Sequence, residues 1–137
     1  MISFNYETNF SLSNEKELSN WIKDTIEQET HTLGEVNYIF CDDAYLHKLN
    51  VEFLNHDTLT DIISFDNTLG SLINGDIFIS VERVTENARI FNCSFEDELH
   101  RVMIHGILHY LGYKDKTDSE KQEMRSKENE CLFKLNN

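Results

Sequence analysis

The 137-residue sequence contains no proline, five glycines, three cysteines, and only 12 lysines and arginines against 25 aspartates and glutamates. Most of these shortages exclude something. Cys41, Cys93 and Cys131 are odd in number, far apart and free of any Cys-x-x-Cys spacing. They therefore make neither a disulfide framework nor a cysteine zinc site, and read as reduced thiols that serve as small packing residues. No run of about 18 apolar residues exists, so no membrane span is expected. The stretch Met1–Glu7 lacks a basic region followed by an apolar one, so no secretory signal is expected and the location implied is cytoplasmic. A net charge of −13 opposes any broad nucleic-acid surface, since phosphate contacts need clustered Lys and Arg. A local basic cleft stays possible. The missing prolines carry no functional information.

What is present suits one soluble domain over residues 1–137: 39% hydrophobic and 27% charged residues, with no repeat, linker or low-complexity tract. Residues 2–6 predict a first strand. Ser13 is placed to cap a helix with Leu18, Trp21, Ile22 and Ile26 at helical spacing, closed by Gly34. Strands are expected at Glu35–Cys41, Thr60–Asp66 and Gly75–Ser80, and the glycine-punctuated loop between the last two predicts an antiparallel pair. Asp42 or Asp43, Ser80, Ser94 and Thr117 are expected caps for four further helices. The expectation is an α/β (α+β) domain: a four-stranded mixed sheet with about five helices.

The most informative stretch is His105-Gly106-Ile107-Leu108-His109-Tyr110-Leu111-Gly112-Tyr113-Lys114-Asp115. Histidines four residues apart on a helix leave the same face, about 40° apart around the axis. Gly112 stands where a helix needs a residue that tolerates the left-handed conformation. Past it, Asp115 can return a carboxylate to the two imidazoles. His105, His109 and Asp115 are thus candidate metal ligands at the end of a largely buried helix. Two nitrogens, one oxygen and an open position suit catalytic rather than structural zinc. The spacing parallels the metzincin pattern, but the glutamate that serves as peptidase base is replaced by Gly106. A base must come from elsewhere, and Asp61, Asp66, Asp76 and Glu98 are the candidates. Glu98, seven residues before His105, is also placed to hydrogen-bond a ligand imidazole.

Three stretches resemble the YbeY family of bacterial ribosomal-RNA maturation endoribonucleases. Leu49-Asn50 through Leu59-Thr60-Asp61-Ile62-Ile63-Ser64-Phe65 is similar to the segment ending P-T-D-V-L-S-F. Gly75-Asp76-Ile77 is similar to its G-D-I strand start, and His105–Asp115 to its H-G-x-L-H-L-x-G-Y-D-H. The resemblance implies one zinc per chain held by His105, His109 and Asp115, the last in place of the family's third histidine. Carboxylate oxygen there shifts preference toward harder divalent ions. It also implies single-strand-specific hydrolysis of ribosomal RNA at the 3′ end of the small-subunit RNA, ribosome quality control, and the small ribosomal subunit as partner, with neither DNA nor membrane.

One departure bears on the chemistry. The family's arginine after the aromatic residue that follows Leu-Asn is Leu54 here. His56, Arg83, Arg89 or Lys114 are candidates to supply that charge, and His56 with Glu98 and His105 completes the candidate catalytic set. Two alternatives stand beside the nuclease: a non-catalytic ribosome-assembly factor with a structural metal, and a metallopeptidase, which Gly106 opposes.

Overall fold

Alternation along two long strands sorts the molecule into a thick side and a thin side. The computed structural model describes residues 1–137. In chain order they form β1 (Ile2–Tyr6), α1 (Glu15–Gln28), β2 (Thr32–Cys41), α2 (Asp43–Leu54), β3 (Ile62–Asp66), β4 (Leu72–Ser80), α3 (Val81–Phe91), α4 (Phe95–Tyr110) and α5 (Asp118–Leu135). On one face Val36, Tyr38 and Phe40 of β2 and Ile73, Ile77 and Ile79 of β4 are fully buried. They pack in one cluster with the apolar stripes of α1, α4 and α5. The other face carries a smaller cluster of Cys41, Leu46 and Ile63, flanked by Phe65 and Phe78 and covered by α2. Full burial of each such aliphatic side chain contributes about 1.5–3 kcal/mol, which makes the thick side the main source of stability.

The strand order is β1-β2-β4-β3. β1 and β4 flank β2 in parallel, and β3 runs antiparallel to β4 at the edge. The sheet is therefore mixed, with its antiparallel pair where the short loop between β3 and β4 requires one.

The caps fall mostly where the side chains allow. Asp42 accepts from the Tyr45 amide, Ser80 from Arg83, Ser94 from Asp97, and Thr117 forms a full capping box with Glu120. Two expectations are corrected. Asn14, not Ser13, stands at the start of α1, with no side-chain cap hydrogen bond. Gly34 does not close α1 but lies inside β2, which begins at Thr32. The register shifts between Leu33 and Val36, and a side chain at Gly34 would collide with Asn74 and the Ile73 carbonyl. Glycine is there for a strand irregularity rather than a helix stop.

Gly75 explains how α4 is seated. Tyr110 of α4 donates its hydroxyl to the Phe65 and Asp76 carbonyls at 3.0 and 3.2 Å. A Cβ at Gly75 would lie 2.5 Å from that hydroxyl and 2.6 Å from the Phe65 carbonyl oxygen. Tyr38 fastens the helix midway, donating to the Met103 carbonyl at 2.8 Å.

Candidate metal centre

α4 buries Val102, Met103, Ile104, Ile107 and Leu108 against the sheet and its neighbouring helices. That leaves one half-exposed stripe, and His105 and His109 stand on it. Gly106 does not share the stripe. A Cβ there would meet Ile77 Cδ1 at 3.1 Å and Ile62 Cδ1 at 3.2 Å, so the residue is a contact between helix and sheet.

The end of α4 is a Schellman turn. Tyr113 N–H donates to the Leu108 carbonyl and Gly112 N–H to that of His109, both at 3.0 Å, with Gly112 at φ +104°. The turn reverses the chain and delivers two groups to the site. The Tyr113 carbonyl accepts from His109 Nδ1 at 3.1 Å. Asp115 then places Oδ2 3.2 Å from His109 Nε2 and 3.4 Å from His105 Nε2. The two Nε2 atoms are 3.0 Å apart.

These three atoms fit a metal ion on chemical grounds. Glu128 of α5 takes the Nδ1 proton of His105 at 2.6 Å, and the Tyr113 carbonyl takes that of His109. Both tautomers assigned from these partners leave Nε2 as a lone pair. Two lone pairs and a carboxylate oxygen then converge with no proton among them, an arrangement that a cation relieves. The separations of 3.0, 3.2 and 3.4 Å also approximate the edges of a coordination tetrahedron, about 3.3 Å for metal–ligand bonds of about 2.0–2.1 Å. His105, His109 and Asp115 are a group of side chains that could hold a metal ion, their ligand atoms all within 4.8 Å of one another.

Glu128 is 4% exposed and also accepts from Arg101 Nη1 at 3.1 Å. Burial by itself lowers the pKa of His105, but the Glu128 hydrogen bond and the charges of Glu128, Asp115 and Asp61 outweigh it and raise the pKa. The histidine–carboxylate pair orients the ring and makes Nε2 a better donor.

A cleft of about 440 Å³ opens beside His105 and Asp115. Asp61, Asn87, Phe91 and Glu98 line one part of it. Lys121 and Arg125 of α5, with Arg101 of α4, line another. Asp61 reaches it because the buried Asn50 side chain donates to the Thr58 carbonyl at 2.8 Å and so holds the loop that precedes β3. Burial raises the pKa of both Asp61 and Glu98, and in Glu98 the charge of Asp61 adds to it.

The candidates from the sequence separate accordingly. His105, His109 and Asp115 come together. Glu98 lines the cleft, but the imidazole hydrogen bond assigned to it belongs to Glu128. Seven residues carry Glu98 about 10.5 Å along the helix axis, too far to reach His105 Nδ1. His56 is exposed just after left-handed Asn55 and lies outside the cleft lining. Arg83 pairs with Asp43 at 3.0 Å, Arg89 pairs with Glu86, and Lys114 does not line the cleft. Of the other carboxylates, Asp66 accepts from the Thr68 amide and Asp76 from Asn37, each at 2.9 Å and away from the cleft. Sequence reasoning missed Glu128, Arg101, Lys121 and Arg125. The signal for α5 was a spacing of i, i+4, i+7 from Lys121 through Arg125 to Glu128, hidden in a helix that reads as a solvated acidic face.

Known proteins resemble this chain along nearly its whole length. The family pattern described as Endoribonuclease YbeY matches residues 3–136. A protein named Endoribonuclease YbeY from Flavobacterium johnsoniae is 65% identical over 132 residues, which cover 96% of this chain and 95% of that one. Its namesake from Cytophaga hutchinsonii is 47% identical, covering 94% and 91%. A solution structure of a Thermotoga maritima protein superposes with a TM-score of 0.74 at 32% identity, covering 98% of this chain and 89% of that one. The chain belongs to the Endoribonuclease YbeY family.

Proposed function

We propose that this protein is a metal-dependent endoribonuclease that cleaves single-stranded ribosomal RNA. Its role on this reading is maturation of the small-subunit RNA 3′ end and ribosome quality control in the cytoplasm, with the small ribosomal subunit as partner. Residues 1–137 form a single YbeY-like hydrolase domain. Support comes from family membership and from relatives that carry the name endoribonuclease. The observation that carries the reading is the convergence of His105, His109 and Asp115 on one point at the edge of a cleft that also holds cationic side chains.

Those three residues would hold one divalent ion, zinc by the nature of the imidazole donors, with the Asp115 oxygen favouring harder ions as well. Such an ion supplies a Lewis acid for a phosphoryl oxygen and an activated water at neutral pH. Glu128 and the Tyr113 carbonyl accept the Nδ1–H groups of the two imidazoles and so keep both Nε2 atoms aimed at the same point. Half-buried Asp61 and buried Glu98, which line the same cleft as His105, hold protons more tightly than exposed carboxylates do. Either is thus a better acceptor for a proton released within the cleft. Arg101 is fixed by Glu128 and brings positive charge next to the imidazole. His56 has no place in this account.

A peptidase reading finds no base at residue 106, where any longer side chain must displace Ile62 and Ile77. The assembly-factor reading is separated from the nuclease by activity. Purified protein, wild type and His109→Ala, is incubated with a single-stranded fragment of the small-subunit RNA 3′ region, with and without chelator. Cleavage that disappears with chelator and in the variant supports the nuclease. Stoichiometric metal without cleavage leaves the assembly factor, and undiminished cleavage by metal-free His109→Ala defeats both.

A further inference from the structure

Phe91 is 60% exposed although it stands at the last turn of α3 beside a cleft that could shelter it. It lines that cleft together with Lys121 and Arg125. The two cations are one helical turn apart on the same face of α5, and both are exposed. Arg125 reaches Glu128 only loosely, at 3.9 Å, whereas Arg101 is committed to it at 3.1 Å. Lys121 and Arg125 thus keep their charge available to an incoming group. In a chain of net charge −13, three of 12 basic residues meet at this one cleft.

An open aromatic ring beside a pair of free cations is the combination that binds single-stranded nucleic acid without reading its sequence. The bases stack on the ring, and the cations follow the phosphates. We propose that Phe91 is a base-stacking platform and that Lys121 and Arg125 seat the adjoining phosphates, forming the subsite that feeds a single RNA strand to His105. The proposal rests on the nuclease reading and deepens it. It replaces the charge missing at Leu54 with two side chains from α5. It also accounts for single-strand selectivity, since a base within a duplex is stacked on its neighbours and has no face to offer Phe91.

The occupant follows from the charge and the ring together. An acidic peptide would use the cations and leave Phe91 idle, and an apolar partner would use Phe91 and strand the cations. The carboxyl groups of Asp61 and Glu98 line the same cleft. A polyanion is therefore held at the α5 side and admitted toward His105 only where a scissile phosphate meets the metal ligands.

The test uses full-length, metal-loaded protein and a fluorescent 2′-O-methyl oligoribonucleotide, with a second strand of the same length carrying abasic residues. Binding is followed by anisotropy over a salt series, and the oligonucleotides are checked on gels for integrity. Phe91→Leu should weaken binding of the base-bearing strand about tenfold and leave the abasic strand unaffected, while Phe91→Tyr restores wild-type affinity. Lys121→Gln with Arg125→Gln should weaken both strands and flatten the slope of log K against log salt by about 1.4, two phosphate contacts at about 0.7 each. Phe91 is outside the core, so thermal melts of its variants should match wild type. Wild-type affinity of Phe91→Leu for the base-bearing strand, or an unchanged salt slope in the double variant, overturns the subsite. If wild type binds RNA through Phe91 but cleaves none, the subsite stands and the nuclease reading falls.

Discussion

His105 Nδ1 and Glu128 Oε2 are 2.6 Å apart, so the first histidine of the candidate metal centre is held by a carboxylate from a different helix. Glu128 is 4% exposed, and its second oxygen accepts from Arg101. α5 is thereby part of the site, not a cover for it. Glu128→Gln keeps the shape but loses the charge that holds the Nδ1 proton and strengthens Nε2 as a donor. Metal affinity should fall about 10–100-fold, measured by competition with a chromophoric chelator at neutral pH. Equal affinities of variant and wild type would mean that α5 plays no part in binding.

Gly112 sets the path from His109 to Asp115. At φ +104° an alanine is strained, and Gly112→Ala should cost roughly 1 kcal/mol in urea unfolding of the metal-free protein. Relieving that strain would also move the Tyr113 carbonyl away from His109 Nδ1, so metal affinity should drop beyond what the stability loss explains. A stability loss with intact affinity would show that the turn serves only to end the helix.

Asp43 ties two helix starts together. It accepts from Ser80 at 2.7 Å and pairs with Arg83 at 3.0 Å. The Arg83 hydrogen bond lowers its pKa in the folded state. A carboxyl with a lowered folded pKa contributes stability that is fully present above its unfolded pKa, near 3.9, and is lost as pH falls through the folded value. Asp43→Asn should therefore destabilise the protein by about 1 kcal/mol at pH 7, and the gap to wild type should shrink below pH 4. A gap of the same size at pH 7 and pH 3 would assign the loss to shape rather than charge.

Much of the fold and the centre of the site were legible because they depend on local chemistry. Helix caps at Asp42, Ser80, Ser94 and Thr117 need only a short side chain three residues before an amide. The pair His105 and His109 follows from helical spacing, and Gly112 from its left-handed backbone. Gly34 was misread because a bulge and a helix stop use glycine for similar reasons, and only the neighbouring strand distinguishes them. Glu128 was not legible as the partner of His105, since that contact depends on how α5 packs across α4. Glu98 was the nearest carboxylate in sequence, yet the rise of the helix puts it out of reach. His56 lies just downstream of Leu54, where the family's arginine is missing, while the cations that reach the cleft come from α4 and α5. The motif glycine at 75 has its meaning only once Tyr110 is seen against it.

Glu98 offers a test of what the site costs the fold. It is 5% exposed, and burial, with Asp61 as a negative neighbour, raises its pKa despite Arg101 and Arg125. An acid whose folded pKa is raised binds protons more tightly folded than unfolded. Its ionisation then opposes folding, and stability falls as pH rises from the unfolded pKa through the folded one. Above both values the full cost is present. In metal-free protein, Glu98→Gln should thus melt a few degrees higher than wild type at pH 7, since about 1 kcal/mol moves the midpoint by about 2–4 °C in a domain of this size. At a pH below the unfolded value the wild-type carboxyl is protonated in both states and the difference should vanish. If Glu98 is kept for chemistry, the same variant should lose cleavage activity while gaining stability. A Glu98→Gln protein that is less stable at pH 7 would instead place the carboxylate among the groups that hold α4 in position.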